Sequence, residues 1–250
     1  SDVVAVAAGA DHVAALKRDG SFWAWGNNSN GQFGNGSQTG SLVPLQIMGI
    51  LGVQRIVAGN GYTLVLLTDG TVWAWGLNGN GQLGNGTAVT SLIPVQVYGL
   101  GGVRSLASGS AHAVALINDG TVRTWGANSL GQLGNGTTAD GIVPGRIEGL
   151  TNVIAVAAGN GHSAALLADG TVWTWGDNAS GQLGNGTQTA AFSPVSVTGL
   201  TGAIGLTAGL AHTLAVKVDG SLWAWGDNLS GQLGDGTATN RALPVRVQLP

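Results

Sequence analysis

The chain has 250 residues, a formal net charge of −3 and only 8% charged residues, against roughly 25% in ordinary globular chains. With nine Lys and Arg residues it lacks the basic surface that binding to phosphate backbones requires, so we expect no nucleic-acid partner. It contains no cysteine, which excludes disulfides and cysteine-type zinc sites. No stretch approaches about 18 uninterrupted apolar residues, so we expect no membrane partner.

A glycine-rich hexamer recurs through the whole chain. It reads GQFGNG at 31–36, GQLGNG at 81–86, 131–136 and 181–186, and GQLGDG at 231–236. Self-similarity at a fixed period is typical of solenoids, propellers and arrays. We therefore predict a single domain, 1–250, made of five repeats with no insertion or deletion between them: 1–50, 51–100, 101–150, 151–200 and 201–250.

The residue pattern of each repeat predicts four short strands, which we describe here for the fourth repeat. Residues 153–158 form the first strand, and the apolar runs on either side of Asp169-Gly170 form a hairpin, for which we expect a type I′ turn. The fourth strand opens at Pro194 and alternates polar with apolar residues, as an edge strand does. Because the second strand is nearly continuously apolar, both of its faces must be covered. The fold class is therefore all-β, most simply a β-propeller of five blades with four antiparallel strands each.

The linkers predict how the blades join. A short link such as 98–102 follows each fourth strand, whereas a long loop separates the third strand from the fourth. Short links usually join neighbouring antiparallel strands, so we expect each fourth strand to pair with the next repeat. The N- and C-terminal strands, 3–8 and 244–249, then pair with each other and close a monomeric ring.

One set of residues resembles a known family. In the fourth repeat the segment 158–162 (AGNGH), Asp169-Gly170, Trp175-Gly176, Asn178 and the segment 181–184 (GQLG) resemble the repeat of the regulator of chromosome condensation family. The resemblance covers all five repeats and implies a propeller, although the best-known members have seven blades. Those members include a nuclear exchange factor for the Ran GTPase that docks on nucleosomes, a plant ultraviolet photoreceptor and secreted β-lactamase inhibitors. Their shared theme is a loop-covered face presented to another macromolecule.

Histidine recurs at one position of the repeat, where the second repeat has Tyr62. A ring of imidazoles is a conceivable metal site, but the repeat places each one on a separate blade and Tyr62 interrupts the series. We therefore predict no metal and a histidine that satisfies turn backbone. Tryptophan recurs in pairs two residues apart, for which we favour packing over ligand stacking or light absorption. The residues assigned a structural role are His12, His112, His162, His212, Trp25, Trp75, Trp125, Trp175 and Trp225.

Catalytic chemistry finds little support. The glycine hexamer lacks the Lys-Ser/Thr partner and following helix of a phosphate-binding loop, so we interpret it as a tight corner with one buried Leu or Phe. Glu148 is the only glutamate, and most aspartates stand in Asp-Gly turns. Serine, histidine and aspartate have the same neighbours in several repeats, which leaves no unique triad. We predict no enzyme activity and no cofactor.

Variation between repeats is concentrated in the tips of the long loops, which lie at the same end of the blades as the Gly-x-x-His turns. Loops on a rigid scaffold usually carry binding residues, so we predict a non-enzymatic scaffold for protein–protein interaction. The candidate residues are Gln38, Thr39, Val89, Thr90, Asp140, Gln188, Asn240 and Arg241.

Three alternatives remain open. A glycan-binding lectin would show equivalent polar residues in every blade, as the repeated asparagines from Asn28 to Asn228 do. An engineered or amplified repeat protein without an evolved ligand would explain the unbroken period. A GTPase exchange factor needs unique acidic or wedge-like loops, which near-identical repeats disfavour. Low Lys content with abundant Ala, Gly, Thr and Asn suggests an exported bacterial protein.

Overall fold

A computed structural model describes residues 1–249, which form five antiparallel sheets of four strands, one sheet for each repeat. The strands are β1 (Val3–Ala8), β2 (His12–Lys17), β3 (Phe22–Gly26), β4 (Ser41–Ile47), β5 (Val53–Ala58), β6 (Tyr62–Leu67), β7 (Val72–Gly76), β8 (Ser91–Gln96), β9 (Val103–Ser108), β10 (His112–Ile117), β11 (Val122–Gly126), β12 (Gly141–Arg146), β13 (Val153–Ala158), β14 (His162–Leu167), β15 (Val172–Gly176), β16 (Ala191–Ser196), β17 (Ala203–Ala208), β18 (His212–Lys217), β19 (Leu222–Gly226) and β20 (Arg241–Arg246). The predicted all-β class and four strands per repeat are confirmed.

The fourth strand belongs to its own repeat. In the fourth repeat Trp173 on β15 lies opposite Ser196 on β16, and Gly176 lies opposite Ala191. The prediction that each fourth strand pairs with the next repeat is therefore wrong. The reason lies in the long loop, which folds back because the Asn178 side-chain amide donates hydrogen bonds of 3.0 Å to the carbonyls of both Thr187 and Thr189. The chain is thus returned to the strand it has just left.

The terminal strands do not meet in the predicted way. β1 pairs with β2 at one edge of the first sheet, and β20 pairs with β19 at one edge of the fifth. Because every sheet completes its four strands within one repeat, neither terminal strand is needed to complete the other's sheet. Among residues 1–249 the predicted pairing of the N- and C-terminal strands is not formed.

The Asp-Gly hairpins form as predicted, but with a different turn. The Lys17 amide bonds the Ser21 carbonyl at 3.0 Å and the Gly20 amide bonds the Lys17 carbonyl at 2.9 Å. Of the turn residues only Gly20 has positive φ, at 83°. The turn is therefore type I followed by a left-handed glycine bulge, not type I′. Asp19 stabilises this form, since its Oδ1 accepts the amide and hydroxyl of Ser21.

Residues 1–249 divide into two compact units, and the division runs through the third repeat. Unit 1 comprises Ser1–Ala113, Trp125–Ala127 and Asp140–Gly145; unit 2 comprises Val114–Thr124, Asn128–Ala139 and the described residues after Gly145. The single domain stays a prediction. Within these residues no helix has the length and apolar character needed to cross a membrane.

The core of each unit lies between consecutive repeats. In unit 1, Leu16 and Phe22 of the first repeat pack against Val65 and Trp75 of the second. The rings of Phe22 and Trp75 meet edge to face with centroids 5.7 Å apart. In unit 2, the side chains of the fourth and fifth repeats form the corresponding core, from Leu166 to Trp225. The second strand is apolar on both faces because it packs on both sides.

Candidate interaction face

Each sheet has a loop end and a hairpin end. His12 at the start of β2 and Ser41 at the start of β4 both lie opposite Gly26, the last residue of β3. The Gly-x-x-His turn and the long loop therefore share one end of the sheet, as predicted. We call this end of each sheet its loop face and define it by the tip of its long loop, which is 37–41, 87–91, 137–141, 187–191 or 237–241 in the five repeats.

A buried asparagine holds each long loop in shape. Asn28 is fully buried, and its Nδ2 donates to the carbonyls of Ser37 at 3.0 Å and Thr39 at 3.1 Å. Its Oδ1 accepts the Phe33 amide at 2.9 Å. The same pattern holds at Asn78, Asn128, Asn178 and Asn228. These amides are enclosed and already bonded, so they no longer support the glycan-binding hypothesis.

The glycine hexamer forms a packed corner, as interpreted from the sequence. Phe33 is fully buried, and Gly34 has a φ of 75°. A Cβ atom on Gly34 would lie 2.9 Å from the indole of Trp75, so only glycine fits without displacement. The Gly36 amide donates to the Leu92 carbonyl of the second repeat at 2.9 Å. The corner therefore fastens one repeat to the next.

In the second to fifth repeats, the tryptophan of the Trp-Gly step at the end of the third strand bonds the main chain of the preceding repeat. Trp75 Nε1 donates to the Gln32 carbonyl at 2.8 Å, and Trp175 Nε1 donates to the Gln132 carbonyl at 2.9 Å. Trp125 and Trp225 do the same at 3.0 Å and 2.9 Å. All four are fully buried, whereas Trp25, with no preceding repeat among residues 1–249, is half-buried. Sequence reasoning missed this bond because its acceptor is a backbone atom.

His12 and His162 each bond a side chain of the next repeat rather than the turn backbone that we predicted. His12 Nε2 lies 2.9 Å from the Thr63 hydroxyl, which itself donates to the Gln32 carbonyl. Nε2 must therefore carry the imidazole proton, which leaves buried Nδ1 without a partner. Burial lowers the pKa of His12 to about 4. His162 and Thr213 repeat the arrangement in unit 2, and burial lowers the pKa of His162 to about 4.

Tyr62 also reaches the next repeat, where its hydroxyl donates to the His112 carbonyl at 2.6 Å. The repeat position that holds His12 or Tyr62 therefore contacts the next repeat whether its residue is histidine or tyrosine. Residues 1–249 contain no group of three or more His, Asp or Glu side chains arranged to hold a metal ion.

The candidate residues fall into two groups. Six are exposed: Gln38, Thr39, Val89, Thr90, Asp140 and Gln188. Of these six, Gln38 also bonds its own loop, since its Nε2 donates to the Ser29 carbonyl at 2.7 Å. The other two serve their own loop, since Asn240 Oδ1 accepts the Asn228 amide at 2.8 Å and Arg241 Nε donates to Asp235 at 2.7 Å. The Thr237 hydroxyl and the Arg241 guanidinium hold the pKa of Asp235 well below its usual range.

Exposed apolar residues flank the tips, and the sequence analysis did not single them out. Val43, Ile93 and Val143, each preceding the proline of a fourth strand, are 61%, 58% and 39% exposed. The sequence signal that could have identified them is an apolar residue directly before the proline of the fourth strand, which occurs in four of the five repeats. The loop face thus combines variable polar tips with an apolar border.

Comparison with known proteins identifies relatives. A family model described as RCC1-like domain matches residues 1–250. The crystal structure of human WBSCR16 is similar at 27% identity and a TM-score of 0.89, over 99% of this chain and 67% of that one. Prp20p from Saccharomyces cerevisiae, described with its binding to Gsp1p and histones, is similar at 25% identity and a TM-score of 0.87, over 99% of this chain and 63% of that one.

A structure of Kap60 bound to yeast RCC1 (Prp20) matches at 22% identity and a TM-score of 0.73, over 99% of this chain and 75% of that one, and supports the fold alone. This chain spans about two thirds of WBSCR16 and Prp20p. The match extends through every repeat. The chain therefore belongs to the RCC1-like domain family.

Proposed function

We propose that this protein is a non-enzymatic protein-binding module and that the loop faces of its sheets bind the partner. The observation that carries the proposal is the contrast between loop backbone and loop side chains. In every repeat the Nδ2 of the buried asparagine, Asn28 in the first, donates to two main-chain carbonyls of the tip, so the loop backbone repeats while exposed side chains such as Thr39 and its equivalent Val89 differ. Variable side chains on a rigid backbone are typical of binding loops.

The relatives add support of a coarser kind. Prp20p binds other proteins, Gsp1p and histones among them. Those partners are known for Prp20p alone. The residues that differ between the repeats of this chain would select the partner of this chain. The absence of enzyme activity, metal and cofactor remains part of the proposal.

A comparison of two matched surface variants tests the proposal. The loop-face variant carries Thr39→Ala, Val89→Ala and Gln188→Ala. The control carries Arg18→Ala, Thr68→Ala and Asn118→Ala, all exposed at the hairpin end. A partner captured by the parent protein should bind the loop-face variant at least tenfold more weakly and the control unchanged, as measured by calorimetry. Equal loss in both variants, or in neither, would show that the loop face is not the surface used.

A nucleotide-release assay addresses the exchange-factor alternative. We expect no stimulated GDP release from a Ran-type GTPase at catalytic amounts of this chain, because the repeats are nearly identical, whereas an exchange factor needs wedge-like or acidic loops on particular blades. Stimulated release would replace the scaffold proposal with the exchange function.

A further inference from the structure

A groove lies at the hairpin end of the fourth repeat, away from its loop tip. It has a volume of about 280 Å³ and lies between the link 148–152 and strands β14, β15 and β16. Trp173, Leu167 and Glu148 line it, together with Ser193 and Pro194. All of these residues belong to unit 2.

The first tryptophan of a pair normally has its polar edge satisfied. Trp23 Nε1 donates to the Ser21 hydroxyl and Trp223 Nε1 to the Ser221 hydroxyl, each at 2.9 Å, and Trp73 Nε1 donates to the Thr71 hydroxyl at 3.1 Å. Trp173 makes no such bond within residues 1–249, although Thr171 occupies the matching position. Its ring is half-buried and borders the groove.

In the first and fifth repeats, the indole at the position equivalent to Trp173 contacts a lysine of the same repeat. Lys17 Nζ lies 5.9 Å from the centroid of the Trp23 ring, and Lys217 Nζ lies 5.4 Å from that of Trp223. Both distances are within the range of a cation–π contact. In the fourth repeat the residue equivalent to these lysines is Leu167, so the chain supplies no cation of its own from this position.

The groove supplies a negative charge instead. Glu148, the only glutamate, lines it, whereas the equivalent link residues beside Trp73 and Trp223 are Met48 and Thr198. The Glu148 side chain is 84% exposed, and Arg146 approaches it only to 3.9 Å, which is longer than a hydrogen bond. The carboxylate is therefore accessible to a second cation.

We propose that Trp173 and Glu148 form a binding site for an organic cation, the arginine or lysine side chain of a partner protein. The bound cation would lie over the Trp173 indole as Lys17 and Lys217 lie over the indoles of the first and fifth repeats. The Glu148 carboxylate would neutralise the charge of the cation. That the cation comes from a partner protein rests on the proposed function. The cation site itself does not.

The test uses the nine tryptophan indole N–H signals in ¹H–¹⁵N spectra, with the Trp173 signal assigned from Trp173→Phe. N-acetyl-arginine methylamide should shift the Trp173 signal saturably, with a Kd of about 1–100 mM as expected for one weak contact pair. The Trp223 signal should stay in place. The neutral isostere N-acetyl-citrulline methylamide should bind at least threefold more weakly.

Three variants sharpen the result. Glu148→Gln should weaken binding about two- to fivefold, and Leu167→Lys should abolish it by placing a lysine over the ring, whereas Leu167→Met should leave it intact. Equal response to the citrulline probe, an unchanged Kd in Glu148→Gln, or an equal shift at Trp223 would each overturn the cation site. Free agmatine binding as tightly as a single-arginine hexapeptide would overturn the assignment to a protein side chain.

Failure here is distinguishable from failure of the proposed function. The probe titration involves no partner, and the loop-face variant changes no residue of the groove. Loss of partner binding in the loop-face variant with no probe binding at Trp173 would refute the cation site alone.

Discussion

Removing the indole of Trp175 tests how adjacent repeats are held together. A tryptophan ring buries about 150–250 Å², which at about 25 cal/mol/Å² corresponds to about 4–6 kcal/mol as an upper estimate. Trp175 is fully buried and donates to the Gln132 carbonyl, so we expect Trp175→Ala to lower the free energy of unfolding by about 3–5 kcal/mol. Urea unfolding followed by circular dichroism measures the loss.

Two further variants separate the contributions. Trp175→Phe keeps a ring but loses the N–H, and Gln132 still accepts the Ser163 hydroxyl, so its cost should be about 1–2 kcal/mol. Trp25→Ala removes the equivalent ring where it is half-buried, and its cost should be clearly smaller than that of Trp175→Ala. Equal losses at Trp25 and Trp175 would refute the reasoning, because burial between repeats would then contribute nothing.

Three other predictions follow from the same junctions. Gly134→Ala should cost about 2 kcal/mol more than Gly199→Ala in thermal and urea unfolding, because both have positive φ but only the Gly134 Cβ would approach Trp175, at 2.7 Å. Asn178→Ala should make the loop 185–190 sensitive to limited proteolysis at protease levels that leave the parent intact, since two loop carbonyls lose their donor. Acidification from pH 6.5 to 4 should destabilise the protein, because His162 is protonated near pH 6.5 in the unfolded chain whereas burial lowers its pKa to about 4 in the folded protein. This difference in pKa contributes about 3 kcal/mol at most to the loss of unfolding free energy. His162→Gln should make the unfolding free energy less dependent on pH in this range, and an unchanged dependence would contradict the role given to His162.

Local patterns predicted the strands and hairpins well. The apolar runs around Asp169-Gly170 and the proline at the start of each fourth strand are signals carried by neighbouring residues. The turn type was wrong because Asp-Gly suits both I′ turns and glycine-bulge turns, and the Asp19 bonds to Ser21 decide between them.

Sheet membership and the junctions were beyond such patterns. The return of the long loop depends on Asn178 reaching backbone carbonyls 9 and 11 residues ahead. The histidine bridge depends on a hydroxyl 51 residues away. Link length, which suggested the wrong partner for the fourth strand, is a weaker determinant than these bonds. Of the candidate tip residues, Arg241 forms an ion pair with Asp235 that the sequence could not indicate, because the two side chains meet only once the loop is folded.

The loop asparagines have an evolutionary consequence. Asn28 bonds the main-chain carbonyls of residues 37 and 39, and a carbonyl is present whatever side chain a mutation installs. A substitution at Thr39 can therefore alter recognition while the loop keeps its conformation. A single buried amide in each repeat thus separates selection for folding from selection for binding specificity. New binding can therefore be acquired at the tips one mutation at a time.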